Sequence, residues 1–335
     1  MPPTIRDVAK QAGVAPITAS RVLSRTGSFS EKARVRVETA ASELGYVPNR
    51  IAQGLRSKRT NTIGLVLTDI TNPFWTTVAR GVEDVTSASG YNVIVCNTDE
   101  SDIKQKQYID ILLQTQVDGF LLVPANNTIK DITRIQNLNI PLVVLDRSVP
   151  IDVDVVRANS KEGAYLLTKH LLELGHRRIA VLSGPRNISI MVDRIAGYTK
   201  AINEFGLSTD ESLIFDNNLT LGAGSKMAEQ ALALNPRPTA IFATNNFIAI
   251  GAIRAIQKAG LSIPQDIALV GFDDLPEHMV IEPFLTVASQ PAYDMGKQAM
   301  ERLLTRLASN EDIPFNENVL PTQLIVRQSS GHSIS

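Results

Sequence analysis

TIRDVAKQAGVAPITASRVLS, residues 4–24, reads as two short helices joined by a tight turn. Ile5, Val8, Ala9 and Ala12 recur with helical spacing and form one apolar face, and Thr4 with Asp7 makes the Ser/Thr-x-x-Asp/Glu pattern that starts a helix. Gly13 stops that helix. Pro16 suits the first turn of a second one, where its missing N–H has no partner to lose, and Ala15, Ala19, Val22 and Leu23 continue the apolar spacing. The opposite face carries Pro16, Ile17, Ser20, Arg21 and Ser24. Two helices of this length bury too little alone. Ser30 to Leu44 supplies a third, with Ser30 as its cap, Ala33, Val37, Ala40, Ala41 and Leu44 as its apolar stripe and Gly45 as its stop.

Helix pairs of this kind also occur in proteins that never touch nucleic acid, so spacing alone leaves both readings open. Charge separates them. Of the 33 Lys/Arg and 34 Asp/Glu in the chain, residues 1–60 hold 11 and 4, which leaves 22 and 30 for the remainder. A basic head on an acidic body implies that the head meets a polyanion and the body does not.

Past residue 60 the pattern changes period. Apolar runs at Thr62–Thr68, Tyr91–Thr98, Val117–Pro124 and Pro141–Asp146 alternate with helices near 74–89 and 102–116. A second series follows, with runs at Arg178–Ser183, Ala240–Ala243 and Ile267–Gly271 and helices near 161–174, 194–205 and 247–259. Strands without polar alternation are buried on both faces, so each series predicts a parallel sheet covered by helices. Two series predict two doubly wound lobes, with a ligand in the cleft at the carboxyl ends of the strands.

The opening stretch is followed in order by ELGYVPNRIAQGLRS (43–57), TIGLVLTDITNPFW (62–75), VDGFLLVP (117–124), LGHRRIAVLSGP (174–185), DRIAGY (193–198), IPQDIALVGFDD (263–274) and LTVASQP (285–291). With this ordered set the chain resembles the LacI family of transcriptional regulators over essentially its whole length. The resemblance implies a helix–turn–helix domain over 1–48, a hinge helix and linker over 49–60, and a ligand-binding and dimerisation core over 61–335. The N-lobe would span about 61–160 and 291–322 and the C-lobe about 161–290 and 323–335, a hinged clamshell like that of periplasmic sugar-binding proteins. The chain would cross between lobes near 160, 290 and 322.

The linker has its own reading. Pro48 ends what precedes it, Asn49 can cap a helix, and Arg50 to Ser57 allows two turns made marginal by their shortness and by Gly54. A plain tether is the alternative. The resemblance implies instead a hinge helix that folds on operator DNA and pushes Leu55 into the minor groove among basic neighbours Arg50, Arg56, Lys58 and Arg59. Candidate DNA contacts are therefore Thr4, Pro16, Ile17, Thr18, Ser20, Arg21 and Ser24 in the headpiece and Asn49, Arg50, Leu55 and Arg56 in the hinge.

Candidate ligand contacts lie just past the strand ends or in family-matched stretches: Asp69, Asn72, Phe74, Trp75, Asp146, Arg147, Arg194, Asn245, Asn246, Asp273 and Gln290. A polyol needs a carboxylate that accepts from neighbouring hydroxyls, Arg and Asn donors for its remaining lone pairs, and a flat apolar wall for its C–H face. The same residues could serve as helix caps, turn formers and core. The family pattern is broken at three points. Ala243-Thr244-Asn245-Asn246 stands where Ala-Asn-Asp is usual, a lost carboxylate that makes a carboxylate or phosphate on the ligand more acceptable. The apolar pair Pro16-Ile17 replaces the usual base-reading pair, which shifts reading toward thymine methyls and DNA shape, with Arg21 free to address guanine. Ala15 replaces the usual Ser cap.

At 335 residues with 44% hydrophobic and 20% charged composition, the chain has room for more than one core. No apolar run reaches membrane-spanning length and MPPTIRD lacks the apolar core of a signal peptide, so the cytoplasm is the expected compartment and no membrane partner is expected. Cys96, the only cysteine, sits in YNVIVCN and reads as a buried small hydrophobe. Catalysis is not expected. LGAGSK (221–226) lacks phosphate-loop spacing, Asp273 and Asp274 are a poor acid/base pair, and the four histidines suggest neither a metal site nor a Ser/His/Asp set. No cofactor is implied.

One recognition helix reads few base pairs, so a homodimer on a pseudo-palindromic operator is expected. RQSSGHSIS has no leucine heptad and so no helical tetramerisation tail. The expected function is a repressor released by a sugar or sugar-derived effector in the interlobe cleft. The alternatives are a regulator whose ligand or partner protein acts as co-repressor, and a solute-binding protein, which would have no use for residues 1–60.

Overall fold

The computed structural model describes residues 3–24, 27–47, 60–125, 129–274, 283–309, 311 and 313–332. The chain divides into two compact units, Met1–Thr60 and Asn61–Ser335. The first contains helices α1 (Ile5–Ala12), α2 (Pro16–Ser24) and α3 (Glu31–Glu43). Thr4 and Asp7 form a reciprocal capping box, with the Thr4 N–H donating to the Asp7 carboxylate at 2.8 Å, and Gly13 ends α1 at φ 62°, where a Cβ would be strained. Val8, Ala9, Ala12, Ala19, Val22, Val37, Ala40 and Ala41 form the core, and Arg36 Nη2 donates to the Gly13 carbonyl at 2.9 Å, tying α3 to the turn. Ala15 departs from the sequence reading. It is exposed because it precedes the first turn of α2, where its carbonyl accepts from the Thr18 and Ala19 N–H groups. The hinge segment, with Asn49, Arg50, Leu55 and Arg56, lies outside the described residues.

The second unit runs β1 (Thr62–Leu67), α4 (Pro73–Ala88), β2 (Asn92–Asn97), α5 (Asp102–Gln114), β3 (Gly119–Leu122), α6 (Ile129–Asn137), β4 (Leu142–Leu145), β5 (Asp154–Ala158) and α7 (Ser160–Glu173). It continues with β6 (Ile179–Ser183), α8 (Ser189–Glu204), β7 (Ile214–Asp216), α9 (Leu221–Leu232), β8 (Ala240–Ala243), α10 (Asn246–Lys258), β9 (Ala268–Phe272), β10 (Thr286–Ser289), α11 (Ala292–Ala308), β11 (Glu317–Leu320) and β12 (Gln323–Ile325). The strands form two six-stranded sheets, ordered β11-β5-β4-β3-β1-β2 and β12-β10-β9-β8-β6-β7. The two orders correspond position for position: β1 with β6, β3 with β8, β4 with β9, β5 with β10. All pairings are parallel except β10 with β12. The chain passes from one lobe to the other after β5, after β10 and after β11, so three strands of backbone link the lobes.

The central strands of each sheet are buried on both faces, whereas the edge strand β2 leaves Ile94 and Val95 exposed. Leu121 of β3 faces the cluster under α4 and α11, while its neighbours Phe120 and Leu122 face the cluster under α5 and α6. That geometry explains the continuous apolar runs: a period-2 strand with both sides covered has no polar positions to display. The glycine-rich LGAGSK is the first half of α9, capped by Thr220. A Cβ on Gly224 would sit 2.5 Å from the Ile248 carbonyl oxygen, and one on Gly251 would sit 2.3 Å from that of Leu221. Close contact of α9 and α10 depends on those two positions, and it brings their N-termini, with Thr220 and Asn245, to one wall of the cleft. Gly251→Val should therefore lower stability by about 1–3 kcal/mol or more, read as a lowered urea midpoint. Gly222→Ala, at a position with nothing within 4 Å, should leave the midpoint unchanged or raise it.

Candidate functional site

The cleft between the lobes is lined by the carboxyl ends of the strands and the first turns of the helices that follow them. Asp146 follows β4 and Asp273 follows β9, the corresponding strands of the two lobes. Both adopt the left-handed conformation, φ 65° and 69°, which Asp tolerates better than most residues. Each then returns its N–H to the next strand, Asp146 to the Val156 carbonyl at 2.9 Å and Asp273 to that of Ala288 at 3.0 Å. The sharp turn ends the strand and places a carboxylate at its tip. Each lobe thus contributes one acid at the same topological point.

Arg194, on the second turn of α8, belongs to the same inner chamber and is 1% exposed. Its guanidinium lies 3.7 Å from the centroid of the Phe272 ring, donates to the Thr244 carbonyl, and reaches the Ser160 hydroxyl at 3.4 Å. Burial pulls its pKa down against the opposing pull of Asp273 and Asp146. Burial likewise pushes the Asp146 carboxyl up to about 6, although Arg194 and Arg147 favour its charged form. The Asp273 carboxyl is raised by burial, with Arg194 and a hydrogen bond from Gln290 opposing the rise. Asp146 Oδ1, Gln290 Oε1 and Arg147 Nε are buried without a hydrogen-bond partner, so the chamber presents two acceptors and one donor.

Asn72, Phe74, Trp75, Asp146, Arg147, Arg194, Asn245, Asp273 and Gln290 all line this inner chamber. Asn72 caps α4 and Asn245 caps α10, so both combine a cap with a place in the cleft wall. Phe74 and Trp75 pack edge to face, centroids 4.8 Å apart, and supply the apolar wall. Asp69 stands outside the chamber, in a wider space of about 380 Å³ that shares Asn72, Trp75 and Asn245 and adds Pro185, Ile188, Thr220 and Phe247. Asn246 lines neither space; its side chain is bonded to Asn72.

Sequence reasoning missed Glu100, which takes Arg147 in a two-pronged pair, Oε2 to Nη1 at 2.8 Å and Oε1 to Nη2 at 2.5 Å. Its signal was its position after β2, the strand-end criterion that picked Asp69. Met191, Leu219 and Phe247 were also missed, being apolar residues of helix starts and loops with no pattern of their own. The lining holds the carboxylates of Asp69, Asp99, Glu100, Asp146 and Asp273 against the guanidiniums of Arg147 and Arg194. Asn246, where the family pattern has a carboxylate, is not among these lining residues.

In the headpiece, α2 exposes Pro16, Ile17 and Arg21, with Ile17 52% exposed, while Thr18, Ser20 and Ser24 are half-buried. The Ser24 hydroxyl donates to the Ser20 carbonyl at 2.7 Å. Thr4 is exposed and engaged in its capping box. His170, which reads in sequence as an isolated residue, meets Ser330 of the C-terminal segment at 3.0 Å, and His176 meets Thr239 at 2.9 Å. Among the described residues no three His, Cys, Asp or Glu side chains gather as a metal site, and no helix is long and apolar enough to cross a membrane.

A three-helix headpiece with an exposed recognition face, followed by a two-lobed core with a polar cleft at its strand ends, defines a ligand-responsive DNA-binding regulator. Residues 4–49 match the family model of bacterial regulatory proteins of the LacI family, and residues 60–323 match that of periplasmic binding proteins and the sugar-binding domain of the LacI family. The chain belongs to the LacI family of transcriptional regulators. It is 37% identical to the ribose operon repressor of Halalkalibacterium halodurans over 98% of this chain and 97% of that one. Among solved structures it is similar to the lac repressor dimer bound to operator and the anti-inducer ONPF, with TM-score 0.84, 28% identity and coverage of 98% and 99%. It is also similar to the complex of the transcriptional regulator CelR with cellobiose, with TM-score 0.74, 30% identity and the same coverage.

Asp146 makes stability depend on pH. Its folded pKa of about 6 exceeds the ordinary 3.8, so the folded state holds the proton more tightly and stability falls as pH rises from about 4 to about 6. Asp273 has the same sign. Asp146→Asn should remove its share of that slope, becoming more stable relative to the parent at pH 7 than at pH 4.5 in urea unfolding. A pH-independent difference would contradict the burial of the charge.

Proposed function

We propose that the protein is a homodimeric repressor that binds a pseudo-palindromic operator in the cytoplasm and releases it when a neutral polyol, a sugar or close derivative, occupies the interlobe cleft. The observation that carries this reading is the meeting of Asp146, Arg194 and Asp273 beside the Phe74–Trp75 wall, with Asp146 Oδ1 and Gln290 Oε1 unpaired. Hydroxyl groups donate to both of those acceptors, Arg147 Nε meets a hydroxyl lone pair, and the aromatic wall takes the C–H face of a ring. Arg147 is held by Glu100 and Arg194 by Thr244, Phe272 and two acids, so neither guanidinium offers an anion an uncompensated charge. Two relatives support the sugar reading by name: one represses a ribose operon and one was solved with cellobiose.

Asp69, Asn72, Phe74, Trp75, Asp146, Arg147, Arg194, Asn245, Asp273 and Gln290 are assigned to the effector, and Thr4, Pro16, Ile17, Thr18, Ser20, Arg21 and Ser24 to DNA. The hinge residues Asn49, Arg50, Leu55 and Arg56 are assigned to the operator minor groove, with Leu55 as the wedge. Effector-driven movement of the lobes would act on the paired hinge helices and so on the operator.

In a thermal-shift panel of ribose, cellobiose, glucose, glucuronate and ribose 5-phosphate, a neutral sugar should raise Tm and the two anions should not. Trp75→Ala and Asp273→Asn should each abolish or strongly weaken that shift. A response confined to the anions, or none to any neutral sugar, would overturn the effector assignment. Arg21→Ala should cost about 1–3 kcal/mol on the operator and relax preference at one base pair, whereas an equal loss on every sequence would make it a phosphate contact. Leu55→Ala should weaken operator binding and leave sugar binding intact; unchanged operator affinity would remove the wedge.

A further inference from the structure

Asn72 and Asn246 exchange two side-chain hydrogen bonds across the cleft. Asn72 Nδ2 donates to Asn246 Oδ1 at 3.1 Å, and Asn246 Nδ2 donates to Asn72 Oδ1 at 2.8 Å. One residue caps α4 of the N-lobe and the other opens α10 of the C-lobe, and both are buried. Each amide oxygen also accepts a backbone N–H from its own helix, Phe74 at 3.0 Å and Phe247 at 2.8 Å. Those backbone donors fix which end of each amide is oxygen, so the reciprocal pairing is determined rather than interchangeable.

We propose that this amide pair is a latch that holds the two lobes together before any effector enters, and that it sets the equilibrium between closed and open cleft. The proposal rests on the reading that the effector acts by moving the lobes. Other polar bridges cross the gap among the described residues, including the Ser148 N–H to the Ser189 hydroxyl at 3.2 Å and Arg157 to Asp193 at 3.7 Å. The Arg157–Asp193 pair is partly solvated and contributes little. The buried pair differs in kind. When the lobes part, both amides regain water. If one partner is altered while they remain together, an acceptor is trapped against an acceptor, and that penalty falls on the closed state alone.

A carboxylate is the sharpest probe, because it matches Asn in shape. Asn246→Asp keeps the acceptor for Asn72 Nδ2 but sets a second, charged oxygen against Asn72 Oδ1, where the parent has a donor. The closed state is thereby disfavoured by about tenfold. Protonation of that carboxyl restores a donor, so the defect should fade as pH falls.

The test uses the full chain with Cys96→Ala and spin labels on cysteines placed at Ile103 and Lys258, which are exposed on the N- and C-lobe respectively. Pulsed electron resonance on ligand-free, doubly labelled chain diluted with an excess of unlabelled protein, so that labelled chains pair with unlabelled ones, should give a single narrow distance for the parent. Asn246→Asp should give a longer, broader distribution at pH 7.5 that returns toward the parent's at pH 5, each compared with the parent at the same pH. Asn72→Asp makes the same test from the other lobe if the first variant fails to fold. Parent-like distances at pH 7.5 in both variants would overturn the latch. A shifted distance together with unchanged release of operator by sugar would uphold the latch and overturn the functional reading it rests on.

Discussion

Removing two carboxylates and a guanidinium from water is costly, and Asp146, Arg194 and Asp273 lie buried at the junction of the two lobes. Each ion loses several kcal/mol of hydration, which mutual attraction recovers only where geometry is good and remaining lone pairs are bonded. Recovery here is incomplete: Asp146 Oδ1 has no partner and its carboxyl is raised to about 6. The rest of the core holds this group in place. Strand ends supply the left-handed turns, Phe272 and Thr244 hold the guanidinium, and Gly224 with Gly251 lets α9 and α10 approach closely enough to close one wall. A hydroxylated ligand that satisfies the orphaned acceptors relieves a cost already present in the folded protein.

The correspondence of the two sheets gives this arrangement its mechanical sense. Each lobe carries an aspartate at the tip of the corresponding strand and the C-lobe adds Arg194, so the proposed ligand contacts are tied to the lobe orientation. Backbone crosses between the lobes three times, and the amide pair between Asn72 and Asn246 is a buried hydrogen-bonded bridge across the gap. A change of a few hydrogen bonds at the cleft can therefore move an element as large as a lobe, which is the scale of change a hinge needs to sense.

The fold was legible in the sequence where apolar runs were continuous, because a parallel strand covered on both faces leaves no other pattern. The inner chamber was legible in the same way: residues past the carboxyl ends of such strands lie at the edge that bounds the cleft, and nine of the residues chosen in this way, or by the family pattern, converge there. Several features escaped that reading. Helix α8 begins at Ser189, five residues ahead of its expected start, since its cap position is Ile188 and carries no side-chain hydrogen bond. Ala15 has apolar spacing but sits before the turn that would bury it. Glu100 follows a strand end but its pairing is with Arg147, and that of Asn246 is with Asn72, partners 47 and 174 residues distant. Contacts of that range are products of tertiary packing and leave no mark on periodicity.

Effector and operator are held to act on one equilibrium of the core, so each must alter the other's affinity by the same factor. Isothermal titration of the sugar that raises Tm, into free protein and into the protein–operator complex, measures that factor directly. Weaker sugar binding to the operator complex, by a factor of about 5–150 and matched by an equal loss of operator affinity in the sugar-saturated protein, is the expected result. Identical sugar affinity in the two titrations would contradict the coupling between cleft and headpiece.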